Sequence, residues 1–288
     1  MSAAAGQVRR AAIAELTRVG GARSVLWFGL IPGAVLLPLA ITFGVATVAE
    51  RFASISGSIQ VTSVGTTNSV YWVITFTVMI WAVVAAFAHA TAERGPLGEL
   101  SRHLFPRRWT VAVGRWLTYG LGAALCCGIL VAIVMAALPA LFPTVYGGVE
   151  LTSAEGVRFL LTVPTFAVFA VGIGLGLAGL IGHPAGTVVV LLGWAYVVEN
   201  AISLIPNGYT LQSYMPFLNG TYGTGQELAF VPPWGPTGGL VFCGAVSVVM
   251  FTLGCAATAM RVTRTGSRGW SSAVRAARAE RRPARPFG

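Results

Sequence analysis

Few side chains in this sequence are equipped for chemistry, and the types present are restrictive. Every base is Arg and every acid is Glu; Lys and Asp are absent from its 288 residues. A phosphate loop of the form G-x-x-x-x-G-K-[ST] therefore cannot be built here. Schiff-base catalysis, which needs a lysine amine, is excluded as well. EF-hand loops and Ser-His-Asp triads lack their aspartate, although a glutamate can stand in for the last. Cys126, Cys127, Cys243 and Cys255 lie in apolar stretches with no His or acid at ligand spacing. They read as small buried hydrophobes rather than a disulfide or metal set. His89, His103 and His183 are scattered, and without an H-E-x-x-H cluster a membrane metalloprotease has no support. Gly174, Gly176 and Gly179 spell G-x-G-x-x-G, but no strand precedes them, so the dinucleotide reading fails. Gly172 and Gly176 instead have the small-xxx-small spacing that lets helices pack closely. No catalytic and no metal-binding residues are expected.

Glu199 is the one acid that falls well inside an apolar stretch. A charge at a bilayer centre costs roughly 2.5–3.5 kcal/mol on insertion scales. It should therefore face a bundle interior or a water-filled cavity. Two roles stay open for it: a gate or path residue, with Asn200 as its neighbour, or a hydrogen-bonded anchor between helices.

The elements that must position these residues follow from composition. Hydrophobic residues make up 55% of the chain and charged residues only 10%, against about 25% charged in soluble domains. That rules out an ordinary soluble enzyme, a disordered chain and a nucleic-acid-binding domain. A bilayer core about 30 Å thick needs about 20 apolar helical residues. Six stretches qualify: residues 25–48, 70–91, 111–138, 159–180, 187–204 and 238–260. The expected fold is an all-α polytopic membrane domain over 25–260, after a cytoplasmic N-terminus (1–24) and before a basic tail (261–288). Arg115 lies close enough to the start of the third span to snorkel. The fourth and fifth spans are separated only by the segment around Gly182, His183, Pro184 and Gly186, so they form a tight hairpin.

Arginine placement sets the orientation. With both termini cytoplasmic, only Arg51 and Arg158 fall outside. Val8, Ala12, Leu16 and Val19 share one helical face, with Ile13 at its margin and Arg10, Thr17 and Arg18 opposite. This predicts an interfacial amphipathic helix that Gly20 and Gly21 end. The inner loop AERGPLGELSRHLFPRRWT, from Ala92 to Thr110, predicts a short surface helix carrying both signs of charge, which suits a protein partner better than lipid. The outer loop from Ile205 to Thr237 is rich in Pro and aromatic residues, as in segments that sit at the membrane surface or dip into it. The tail after Met260 reads as a solvated basic segment attracted to anionic lipid, not to nucleic acid.

In this order the features resemble the membrane-spanning permease subunits of type-2 ATP-binding-cassette exporters. The resemblance runs from about Glu15 to Met260. It rests on Glu15-Leu16-Thr17-Arg18 with Arg23 and Ser24 before the first span, on Glu93-Arg94-Gly95, Leu100 and Pro106-Arg107-Arg108-Trp109 in the inner loop, and on Arg115 at the third span. Glu199 followed by Met215-Pro216-Phe217 is similar to actinobacterial members. The resemblance implies an N-terminal elbow helix, reentrant segments before the sixth span, and a coupling helix within residues 92–110 that docks on a separate ATPase subunit. It makes Glu93, Arg94, Glu99, Arg102, Pro106, Arg107 and Arg108 the ATPase-coupling residues, while Glu199 and Asn200 stay the candidates for the path or gate. It implies a second permease copy or a related permease as partner, a multi-pass location in a bacterial plasma membrane, no cofactor on this chain, and ATP with Mg on the partner ATPase. The chain itself would then be no enzyme. The competing readings are a non-transporting membrane scaffold or a membrane-embedded enzyme, which requires clustered ionisable groups at one depth. An ion-coupled carrier predicts an internal repeat, and none is visible.

Overall fold

Among the described residues, six helices are long and apolar enough to cross a membrane. The computed structural model describes residues 3–21, 24, 26–53, 63–94, 98, 104–105, 107–229 and 231–280, from 262 onward by backbone alone. Among these residues there is no strand. The helices are α1 (Ala3–Val19), α2 (Leu26–Phe52), α3 (Thr66–Ala92), α4 (Arg108–Leu141), α5 (Pro143–Tyr146), α6 (Ala154–Ile181), α7 (Pro184–Leu204), α8 (Gly208–Gln212), α9 (Pro216–Thr224) and α10 (Gly235–Glu280). Long helices are the expected outcome for such a sequence, because lipid offers nothing to bond a backbone N–H or C=O.

The six long helices match the six apolar stretches but overrun them. The stretches stop at the first charge, whereas a helix continues wherever that charge finds a partner. α2 runs past Glu50 because its carboxylate accepts the backbone N–H groups of Thr144 and Val145, at 2.8 and 2.9 Å. Those are early N–H groups of α5, which would otherwise be unpaired. α10 passes Met260 without a break and continues to Glu280.

α6 is the hub, packed by α3, α4 and α10. Its glycines make this close packing sterically feasible. A Cβ on Gly176 would strike the backbone of Met250 and Phe251, and one on Gly254 would strike Gly176 in return. Gly172 faces Ser247 and Trp116, and Gly174 lies against the carbonyl of Ala82. α2 and α7 lie at the periphery, showing Phe28, Val48, Val189 and Val197 outward. The α6–α7 hairpin closes through Gly182 in the left-handed region (φ 68°), with the His183 ring accepting the Gly186 N–H at 3.2 Å.

Three of the long helices carry wide π-helical turns: Leu26–Leu36 in α2, Val73–Thr77 in α3 and Gly193–Val198 in α7. Hydroxyls on neighbouring helices stitch them together. Thr77 donates to the Ala34 carbonyl at 2.8 Å, and Tyr196 donates to the Thr75 carbonyl at 2.6 Å. Between α7 and α10 the chain forms α8 and α9, and α9 packs on α6 and α10. Gly220 of α9 abuts the Phe166 ring. Phe166 lies twelve residues into α6, so α9 reaches about 18 Å along that helix from its N-terminus.

Candidate functional site

Buried polar side chains gather at two places, one built on several charged residues and one on the single carboxylate of Glu199. The first lies where α1 crosses the start of α4. Ala11 of α1 fits against Gly114, where a Cβ would come within 2.8 Å of the Ala11 methyl. The side of α1 turned inward carries Ala11 and Glu15, both buried, while Ile13 and Leu16 are exposed. Of the expected apolar face, Val8, Ala12 and Val19 are half-buried and Leu16 is exposed. Glu15 is drawn in because three partners await it: Arg115 (Nε to Oε2, 3.3 Å), Arg18 (Nη2 to Oε1, 2.6 Å) and the Tyr119 hydroxyl, which donates to Oε1 at 2.8 Å. Burial opposes the charge on Arg18, but the Glu15 carboxylate and the Tyr119 hydroxyl outweigh it and hold its pKa above the ordinary value.

Arg115 does not snorkel. It is only 5% exposed and serves as the centre of the cluster. Its Nη1 lies 2.9 Å from His89 Nδ1 and 3.5 Å from Glu93 Oε1 at the end of α3. Glu93 in turn accepts from Arg108 Nη1 at 3.0 Å. The chain thus leaves the bundle at Glu93 and returns at Arg108, and these two residues are paired with each other. Arg94 donates to the Gly182 carbonyl at 2.8 Å and so braces the α6–α7 turn. Arg107 is exposed at the root of α4. Of the expected coupling residues, Glu93, Arg94 and Arg108 are therefore engaged within the chain, and Arg107 faces outward. Glu99, Arg102 and Pro106 lie outside the described residues, as does most of the expected surface helix.

The second cluster centres on Glu199, which has no exposed surface. Its Oε1 accepts from the Phe217 N–H at 3.1 Å and from Trp194 Nε1 at 3.0 Å; its Oε2 accepts from the Leu218 N–H at 2.8 Å. α9 opens with Pro216, which has no N–H to satisfy, so one carboxylate completes the next two positions. A negative group also suits the positive end of a helix. Gln212 donates to the Glu199 carbonyl at 3.2 Å. Asn219 closes the knot: its amide donates to the Ser213 and Met215 carbonyls at 2.7 and 2.8 Å, and its oxygen accepts from Trp234 Nε1 at 2.9 Å. Asn200 turns away, donating to the Tyr196 carbonyl at 3.1 Å, and lines a cavity between α3 and α7.

Tyr119, Trp194, Gln212, Asn219 and Trp234 escape sequence reasoning. Tyr119 alone carried a signal, because it lies four residues after Arg115 and so on the same helical face. Among the described residues no three metal-ligating side chains converge. The carboxylates of Glu15, Glu50, Glu93, Glu199 and Glu227 all accept hydrogen bonds within the chain, the last from Thr67 and Asn68 at 3.0 and 2.9 Å. The arrangement is suited to holding segments together. No family model, curated protein or solved structure matches this chain.

Proposed function

We propose that this chain is the permease subunit of an ATP-binding-cassette exporter, moved by a separate ATPase that docks on the inner loop. The observation that carries the reading is the Arg108–Glu93–Arg115–Glu15 chain of contacts. A push on the loop between Glu93 and Arg108 reaches α3, α4 and α1 together, since all three meet at Arg115. In this reading α1 is the elbow helix, with Ile13 and Leu16 in the headgroup region, and both termini are cytoplasmic. α9 is the reentrant segment, its depth beside Phe166 made tolerable because its first N–H groups are paired inside the protein. Pairing of two permease copies supplies the path. Alternating access then follows from rigid shifts of helices about the ion cluster.

Co-purification with the ATPase encoded beside it, and stimulation of that ATPase, test the reading. Arg107→Glu should leave the permease folded and reduce stimulated ATP hydrolysis severalfold. Full activity of this chain without any ATPase partner would overturn the assignment. Arg108→Glu is expected to disturb the loop root through Glu93, and the exchange Glu93→Arg with Arg108→Glu should restore it.

A further inference from the structure

The wide turns of α3 and α7 face one another across a cavity of about 130 Å³. Ile74 and Thr75 form one wall and Ala195 and Tyr196 the other, with Phe166 of α6 and Thr221 of α9 between them. No acid or base lines it among the described residues. Its polar atoms belong to hydroxyls and one amide, Asn200. Tyr196 is 40% exposed on the outer side of the bundle, and its hydroxyl holds the Thr75 carbonyl, which sits in a π-helical turn. α7 is therefore tied to α3 at this point by a single donor at the protein surface.

We propose that this cavity is a binding site for an uncharged, ring-sized apolar group carrying one hydrogen-bonding atom, reached from the lipid side past Tyr196. Size supports the class, since the cavity is close to the void of about 150 Å³ that binds benzene. Charge supports it too: no charged side chain lines the cavity, and the nearby Glu199 carboxylate is already taken up by the Phe217 and Leu218 N–H groups and Trp194, while burying an unpaired charge is costly. π-helical turns supply the motion, because a turn with one extra residue can tighten toward α-helical spacing and carry Tyr196 away from Thr75. The inference deepens the exporter reading by naming a neutral amphiphile as cargo, but binding itself needs no ATPase, so either can fail alone.

The test uses the full chain in lipid nanodiscs, with Cys126, Cys127, Cys243 and Cys255 changed to Ala and Thr221→Cys added. Neutral ethyl methanethiosulfonate should modify that thiol at least tenfold faster than the sulfonatoethyl or trimethylammonioethyl reagents. Tyr196→Phe should speed the neutral reaction severalfold, and phenol should slow it. Leu125→Cys, on the lipid-facing side of α4, corrects for partitioning and should ignore both Tyr196→Phe and phenol. Equal rates for charged and neutral reagents, no acceleration by Tyr196→Phe, or no protection by phenol would overturn the proposal. If Thr221→Cys fails to fold, Met79→Cys in the same cavity gives the same readings.

Discussion

Glu199 is the residue on which the end of the bundle away from Arg115 turns. Glu199→Gln keeps one acceptor oxygen but sets an amide NH₂ against a backbone N–H. The expected loss is about 1–3 kcal/mol, the usual cost of an unsatisfied buried group. Glu199→Ala abandons three donors and should cost more. Thermal unfolding of the purified chain ranks the two; an Ala variant as stable as the wild type would refute the anchor. At the other end, Arg115→Met leaves Glu15 and Glu93 without their shared cation and should cost about 3–5 kcal/mol, whereas adding Glu15→Leu should recover part of it. Both sites were only half legible in the sequence. A lone acid in an apolar stretch announces Glu199, but its partners are backbone N–H groups with no residue signature. Glu15 is visible in the sequence only as part of a short motif before the first span, because its partner Arg115 stands a hundred positions later.

At the level of helices, hydropathy located all six long elements because lipid leaves a chain few alternatives. It could not show the π-helical turns, which depend on hydroxyl partners supplied by other helices. The glycine spacing at Gly172 and Gly176 was legible, yet the helix it welcomes was not. Gly176→Ala should destabilise the α6–α10 contact by about 1–3 kcal/mol, the range for overpacking. Gly44→Ala is the matched control: nothing stands within 4 Å of its Cβ position in α2, so helix propensity alone should make it neutral or slightly stabilising. Denaturation of the two variants side by side would separate packing from propensity, and equal stabilities would refute the contact.

For the whole molecule the governing quantity is the lopsided distribution of arginine. It predicts that reporters fused to either end remain on the cytoplasmic side, while a tag inserted after Gly148, between α5 and α6, is reached from outside by a membrane-impermeant label. Labelling of the first two and not the third would invert the protein and remove the basis for placing an ATPase at the Glu93–Arg108 loop.

That loop has a further consequence. Because Glu93 and Arg108 grip one another at 3.0 Å, the ends of the fourteen-residue segment between them are held together from within the bundle. Doubling the length of a flexible loop costs only about 0.6 kcal/mol. On the exporter reading proposed above, a foreign loop grafted between the same two anchors should redirect which partner docks, while the bundle behind it keeps its register.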